Sequence, residues 1–182
     1  SVVEELRDEL RRAEEENRKI VEDTTRRLED MIRRDEKINE EVERRLEEVT
    51  RRVEELRKQG RDKDEIVDEL RRVVEELEKI LRDALKDSTR VVDELRKVNE
   101  DATRISREVV RRLRKLLKDR VDDERKAREM EKEVTEILRR LEEENKRDLD
   151  RIKKLLDELR KKNEDTLRRI RRLLEEVRER LR

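Results

Sequence analysis

The chain has 182 residues, and its 55 Lys or Arg balance 55 Asp or Glu, so 60% of it is charged at a formal net charge of zero. Apolar residues make up 30%, there is one Gly, and Pro, Cys, His, Trp, Tyr and Phe are absent. Disulfides, thiolate chemistry, the usual general base and the commonest metal ligand are thereby excluded.

So charged a chain offsets its conformational entropy only if its few apolar residues share a face. They do. Ser1 and Glu4 read as a capping box that opens a first helix. From Val3 a stripe then runs through Leu6, Leu10, Ala13, Ile20, Leu28, Met31, Ile38, Val42, Leu46, Val49 and Val53 to Leu56. Counting the polar residues that interrupt it, its mean step is about 3.5 residues, the coiled-coil period. Acid-before-base pairs four apart, such as Glu14–Arg18, Asp23–Arg27, Glu41–Arg45 and Glu48–Arg52, support the same helix on its solvated faces. Gly60 suits the left-handed residue just past a helix end, which closes the first helix near residue 58.

Asp62 with Glu65 opens a second helix near residue 63. Its stripe takes Ile66, Leu70, Val73, Leu77, Ile80, Ala84, Val91, Leu95, Val98, Ala102, Ile105, Val109, Leu113 and Leu116, with a mean step of about 3.6. After Arg111, Arg112, Arg114, Lys115 and Lys118 the charge reverses to Asp119, Asp122, Asp123 and Glu124. Base at a helix C-terminus and acid at the next N-terminus predict a loop over 119–122, capped by Asp119 or Asp122. No Gly or Pro enforces that break, and a helix continuing through it is the alternative. The third stripe runs from Ala127 through Met130, Val134, Leu138, Leu141, Ile152, Leu155, Leu159, Ile170 and Leu173 to Val177.

The pattern predicts an all-α fold. It is an up-down-up antiparallel three-helix bundle of long, nearly straight coiled-coil-like helices near 2–58, 63–118 and 123–181, forming one domain over 1–182. Each helix would be on the order of 85 Å long.

Small polar residues interrupt every stripe or flank it: Asn17, Thr24, Thr25, Asp35 and Asn39 in the first, Ser88, Thr89, Asn99, Thr103 and Ser106 in the second, Thr135, Asn145, Asp148, Asn163 and Thr166 in the third. A buried polar group without a partner costs a few kcal/mol, so partners are expected at matching heights. If facing residues on helices one and two total about 120, and helix three leads helix one by about 120, three layers form. They are Asn17–Ser106–Thr135, Thr24–Asn99–Asn145, and Asp35–Ser88 with Asn39–Ala84–Asn163. Such layers penalise every register that leaves a member unpaired, and so specify alignment more than they add stability.

Capped helices of equal length, a surface of Glu, Lys and Arg, and Asn/Ser/Thr layers in a Leu/Ile/Val core carry a resemblance. The chain resembles computationally designed helical bundles with buried hydrogen-bond networks. The resemblance implies a scaffold, or a subunit of a designed oligomer or switch, without natural substrate, cofactor or localisation, and soluble in the cytoplasm of an expressing cell.

Other functions fit less well. Asp35 and Asp148, the stripe-centred carboxylates, would be the enzyme candidates, but acid–base catalysis needs a pocket and a second group, and they read better as acceptors for Ser, Thr or Asn. No metal site is expected, since di-metal bundles use Glu-x-x-His. Nucleic acid is disfavoured because acids surround the basic runs at 111–118 and 153–154 and no aromatic can stack on a base. Membrane binding is disfavoured because no run reaches the roughly 20 apolar residues of a span, no signal-peptide pattern opens the chain, and Trp and Phe anchors are missing. A helical partner or self-association is the serious rival. Helix two has 21 apolar residues over 62–118, against 16 over 1–58 and 18 over 121–182, a face wide enough for a fourth helix.

Overall fold

Gly60 adopts φ +72°, the conformation that sets the first reversal. The backbone N–H of Gly60 donates to Arg57 O at 3.1 Å and that of Arg61 to Leu56 O at 3.1 Å. These two bonds make up the Schellman arrangement, which satisfies carbonyls that a helix end otherwise orphans. A computed structural model describes residues 1–182 and contains three helices: α1 (Val2–Lys58), α2 (Lys63–Arg120) and α3 (Glu124–Leu181). The chain is all-α and runs up, down and up.

The ends follow the capping chemistry, with two corrections. Ser1 Oγ accepts the Glu4 N–H at 3.3 Å as expected. Glu65, however, pairs with Arg61 at 3.6 Å. The second break does exist, but α2 continues to Arg120 and the connection is residues 121–123. Its cap is Asp123, whose Oδ1 accepts the N–H of Arg125 at 3.0 Å and of Lys126 at 3.4 Å. Asp119 instead lies within α2. Asp123 wins over Asp122 because it directly precedes the first helical residue, where a side-chain oxygen reaches the next two free N–H groups.

The packing divides into two compact units, each built from a piece of every helix. The first unit is Ser1–Leu28 with Val92–Lys154. Its apolar core joins Leu6 and Leu10 of α1, Val110, Leu113 and Leu117 of α2, and Met130 and Val134 of α3. Arg27–Glu94 at 2.7 Å ties α1 to α2, Arg7–Glu133 at 3.0 Å ties α1 to α3, and Arg107–Glu142 at 2.7 Å ties α2 to α3.

The second unit is Glu29–Val91 with Leu155–Arg182. Here Val42, Val49, Val53 and Leu56 of α1 pack with Ile66, Leu70, Val74, Leu77 and Leu81 of α2 and with Ile170, Val177 and Leu181 of α3. Arg45–Glu76 at 2.6 Å and Arg52–Glu69 at 3.5 Å close its α1–α2 edge. In the second unit the partner residue on α2 falls from Glu76 to Glu69 as that on α1 rises from Arg45 to Arg52, the signature of antiparallel neighbours.

Two expectations for the helix surfaces fail. Arg27, Arg45 and Arg52 reach acids on α2, while Arg18, Arg26 and Arg33 turn to acids three residues back, rather than to acids four back. A long guanidinium at a helix edge finds a carboxylate on the next helix as readily as on its own. The α2 stripe is also rotated. Val74, Leu81, Val110 and Leu117 are the core residues, with Val73, Ile80, Val109 and Leu116 packed at the edge. Where that rotation meets polar residues, Asn99 and Ser106 turn inward at 5% exposure each. Val98 and Ile105 are left outside at 37% and 53%.

Candidate functional site: two buried polar layers

In the second unit, Asp35 and Asn39 stand one turn apart on the inner face of α1, and Asn163 and Thr166 one turn apart on α3. All four are buried. Asn39 Nδ2 donates to Asn163 Oδ1 at 3.0 Å, and Asn163 Nδ2 donates to Asp35 Oδ1 at 3.2 Å. Thr166 Oγ1 donates to Asn39 Oδ1 at 3.0 Å. Asn39 Nδ2 also lies 3.2 Å from Asp35 Oδ2 and 2.9 Å from Asp35 O, so its two hydrogens serve three acceptors. Both Asp35 oxygens therefore accept an amide hydrogen. Burial pushes the Asp35 carboxyl above its ordinary range, and the Asn163 donor and Lys162 oppose the rise.

The other members expected here are less involved. Ser88 is buried and, with Met31, Arg34, Asp35, Ile38, Ala84, Asp87 and Val91, lines a cavity of about 60 Å³. The half-buried Thr89 donates to Leu85 O of its own helix at 2.8 Å.

In the first unit, Asn99 Nδ2 of α2 donates to the backbone oxygen of Asn145 at 2.9 Å and lies 3.5 Å from Asp148 Oδ2. Asn145 Nδ2 donates to Thr103 Oγ1 at 3.1 Å, and that hydroxyl donates to Asn99 O at 3.2 Å. From α1, Asn17 Nδ2 makes a long 3.5 Å contact with Glu144 Oε2. Asn17 Oδ1, Asn145 Oδ1 and Asp148 Oδ1 are buried without a donor. The Asp148 carboxyl is raised by burial, against the opposing pull of Arg151 and Asn99. Thr24 is 1% exposed on α1. The Thr25 hydroxyl donates to Val21 O at 2.9 Å and accepts from an Arg151 nitrogen.

The layer expected from Asn17, Ser106 and Thr135 does not assemble. Ser106 turns back on Ala102 O at 2.9 Å, and Thr135 is exposed beside Arg114 and Glu131. Register explains this. Asn39 meets Asn163 at the expected lead of 124, but Asn17 meets Glu144 at 127 and Asp35 meets Asn163 at 128, whereas Thr135 leads Asn17 by only 118. Because the chain runs up and back, each residue by which the second turn moves later adds two to that offset. α2 overruns its expected end by two residues, which supplies about four of the added residues; Asn17 accordingly faces Glu144, and Thr135 lies short of it along α3.

Sequence reasoning also missed the basic residues at the rims of the layers. Arg151 and Arg169 each follow a buried polar residue, Asp148 and Thr166, by one turn, and that spacing was the available signal. Arg169 joins Glu43 of α1 at 2.6 Å and touches Thr166 Oγ1 at 3.5 Å.

No protein-family model and no curated protein matches the chain. Among solved structures, one described as "Computationally designed three helix bundle" is similar at 17% identity and a TM-score of 0.43, covering 99% of this chain and 90% of that one. No helix here is long and apolar enough to cross a membrane.

Proposed function

We propose that the chain is a designed structural scaffold without natural biochemical activity, whose buried polar layers specify the register of the three helices. The observation that carries this reading is the Asp35–Asn39–Asn163–Thr166 network, in which each residue is hydrogen-bonded to another across α1 and α3. Sliding α3 by one residue would break these bonds and strand four polar side chains in the core, at about 1–3 kcal/mol each. An apolar core of Leu, Ile and Val tolerates such slippage much better, which is the physical use of a polar layer. Catalysis finds little support. Asp35 is already engaged at both oxygens, and the cavity beside it is small, about 60 Å³.

The deciding experiment replaces the whole network with apolar residues, as Asp35→Leu, Asn39→Leu, Asn163→Leu and Thr166→Val together. The expected outcome is undiminished stability with loss of a single well-dispersed set of amide NMR signals. A variant that keeps one sharp set of signals shows that the network does not specify register. A second reading, a subunit that accepts a further helix along α2, draws on the exposure of Val98 and Ile105. Light scattering separates the two: a mass of 22.6 kDa favours the self-contained scaffold, and a larger one favours the subunit.

A further inference from the structure

We propose that the Asp148 carboxyl group is a proton-binding site, in which Oδ1 carries a hydrogen donated to Asn145 Oδ1, so that Asp148 ionises after Asp35. The first-unit layer has more acceptors than donors. Four of the five hydrogens on Asn99, Asn145 and Thr103 go to Asn145 O, Asp148 Oδ2, Thr103 Oγ1 and Asn99 O. Asn145 Oδ1 and Asp148 Oδ1 remain buried without a hydrogen-bond donor, one turn apart on the same face of α3. One proton taken from solvent turns Asp148 Oδ1 from an orphaned acceptor into a donor. The same proton gives Asn145 Oδ1 its partner, and it removes the charge on Asp148 that faces Arg151 at 3.8 Å. Asp35 has no such need, because both its oxygens already accept amide hydrogens.

The surrounding charges permit this. On α3, Glu144 favours the protonated form and Arg151 opposes it. Arg151 stands 3.8 Å from Asp148 Oδ1, and the nitrogen concerned hydrogen-bonds Thr25 of α1. Its side chain is 46% exposed while that of Asp148 is 3%, so water screens the opposing charge more than it solvates the carboxylate. From α2 the layer receives the neutral Asn99 and Thr103, and from α1 the neutral Asn17 and Thr25. Burial acts in the same direction, raising Asp148. A group that binds its proton more tightly folded than unfolded stabilises the fold fully below the ordinary carboxyl range. That contribution is lost as pH rises through the folded-state value. The layer is thus a pH-responsive element that loosens toward alkaline pH.

The test is a ¹³C NMR pH titration of the aspartate carboxyl carbons in the whole 182-residue protein, with Asp148 and Asp35 assigned through bonds. Asp148 is expected to titrate at a higher pH than Asp35, and Asn145→Ala is expected to lower its midpoint. Asp148→Asn, which keeps a hydrogen-bond donor at that site, is expected to fold as stably as the parent at neutral pH and to remove part of the pH dependence. A midpoint at or below that of Asp35 overturns the proposal. So does an unmoved midpoint in Asn145→Ala, or an Asp148→Asn protein that is unfolded at neutral pH.

Discussion

Asp35 and Asp148 show how one residue type acquires two environments from its neighbours. Each is a buried carboxyl on a helix face, and burial raises both. Around Asp35 the amide donors are complete, whereas around Asp148 one oxygen has no hydrogen-bond donor. Truncating Asn163 to Ala strips Asp35 Oδ1 of its donor and Asn39 Nδ2 of an acceptor. Chemical denaturation is expected to register a loss of about 1–3 kcal/mol, the cost of leaving a buried polar group unsatisfied. The pH response has an unusual sign. Both carboxyls are raised in the folded state, so their contribution is complete in acid and declines as pH climbs through the folded-state values. Denaturant midpoints for Asp35→Asn and the parent, measured across the acidic range, check that sign, because the parent alone should show the Asp35 part of the decline.

Gly60 and Asp123 carry the helix reversals. At Gly60 an added Cβ would meet nothing within 4 Å, so Gly60→Ala has only the left-handed backbone to contend with. A destabilisation of about 1–2 kcal/mol is expected by thermal or chemical unfolding, with the three-helix far-UV signal intact. For the second turn, Asp123→Ala removes the side-chain oxygen that serves Arg125 and Lys126 and should cost about 0.5–2 kcal/mol. The control is Asp122→Ala, expected to be near neutral. Equal effects at the two positions would put the cap elsewhere. The elements themselves were legible in the residues, since 3.5–3.6 periodicity, one glycine and a reversal of charge sign are local signals. The second cap was misread because Asp119, Asp122 and Asp123 offer the same chemistry within one turn, and only the path of the backbone selects among them.

For the molecule as a whole, the bundled helices divide their apolar residues between core and edge, and α2 shows how. Most of its adjacent apolar pairs place one member in the core and one against the flank, which gives the extra apolar residues on this helix a place within the bundle. Val91 and Val92 are both buried, while Val98 and Ile105, which have no apolar neighbour in the chain, stay exposed. Replacing both with Ser should change stability by about 0.5 kcal/mol or less, as for surface sites generally, whereas Leu113→Ala in the first-unit core should cost about 2–5 kcal/mol. Denaturant unfolding of the two variants decides the contrast. A large loss from the Ser variant would mean that these side chains are covered in solution.

Helix type, number, approximate ends and most buried positions follow from the residue order alone, because helical periodicity and capping act within a few residues of each other. Asn39 with Asn163 and Asn99 with Asn145 could be matched as partners from numbering, since an antiparallel reversal imposes a simple relation between facing positions. The isolation of Thr135, the inward turn of Asn99 and Ser106 at the expense of Val98 and Ile105, and the unequal pairing of the two aspartates came only from the tertiary structure. Those outcomes depend on where the second turn falls and on how far α2 rotates between its neighbours. A shift of one residue or a fraction of a turn exchanges which side chain is sheltered, and no local pattern encodes it.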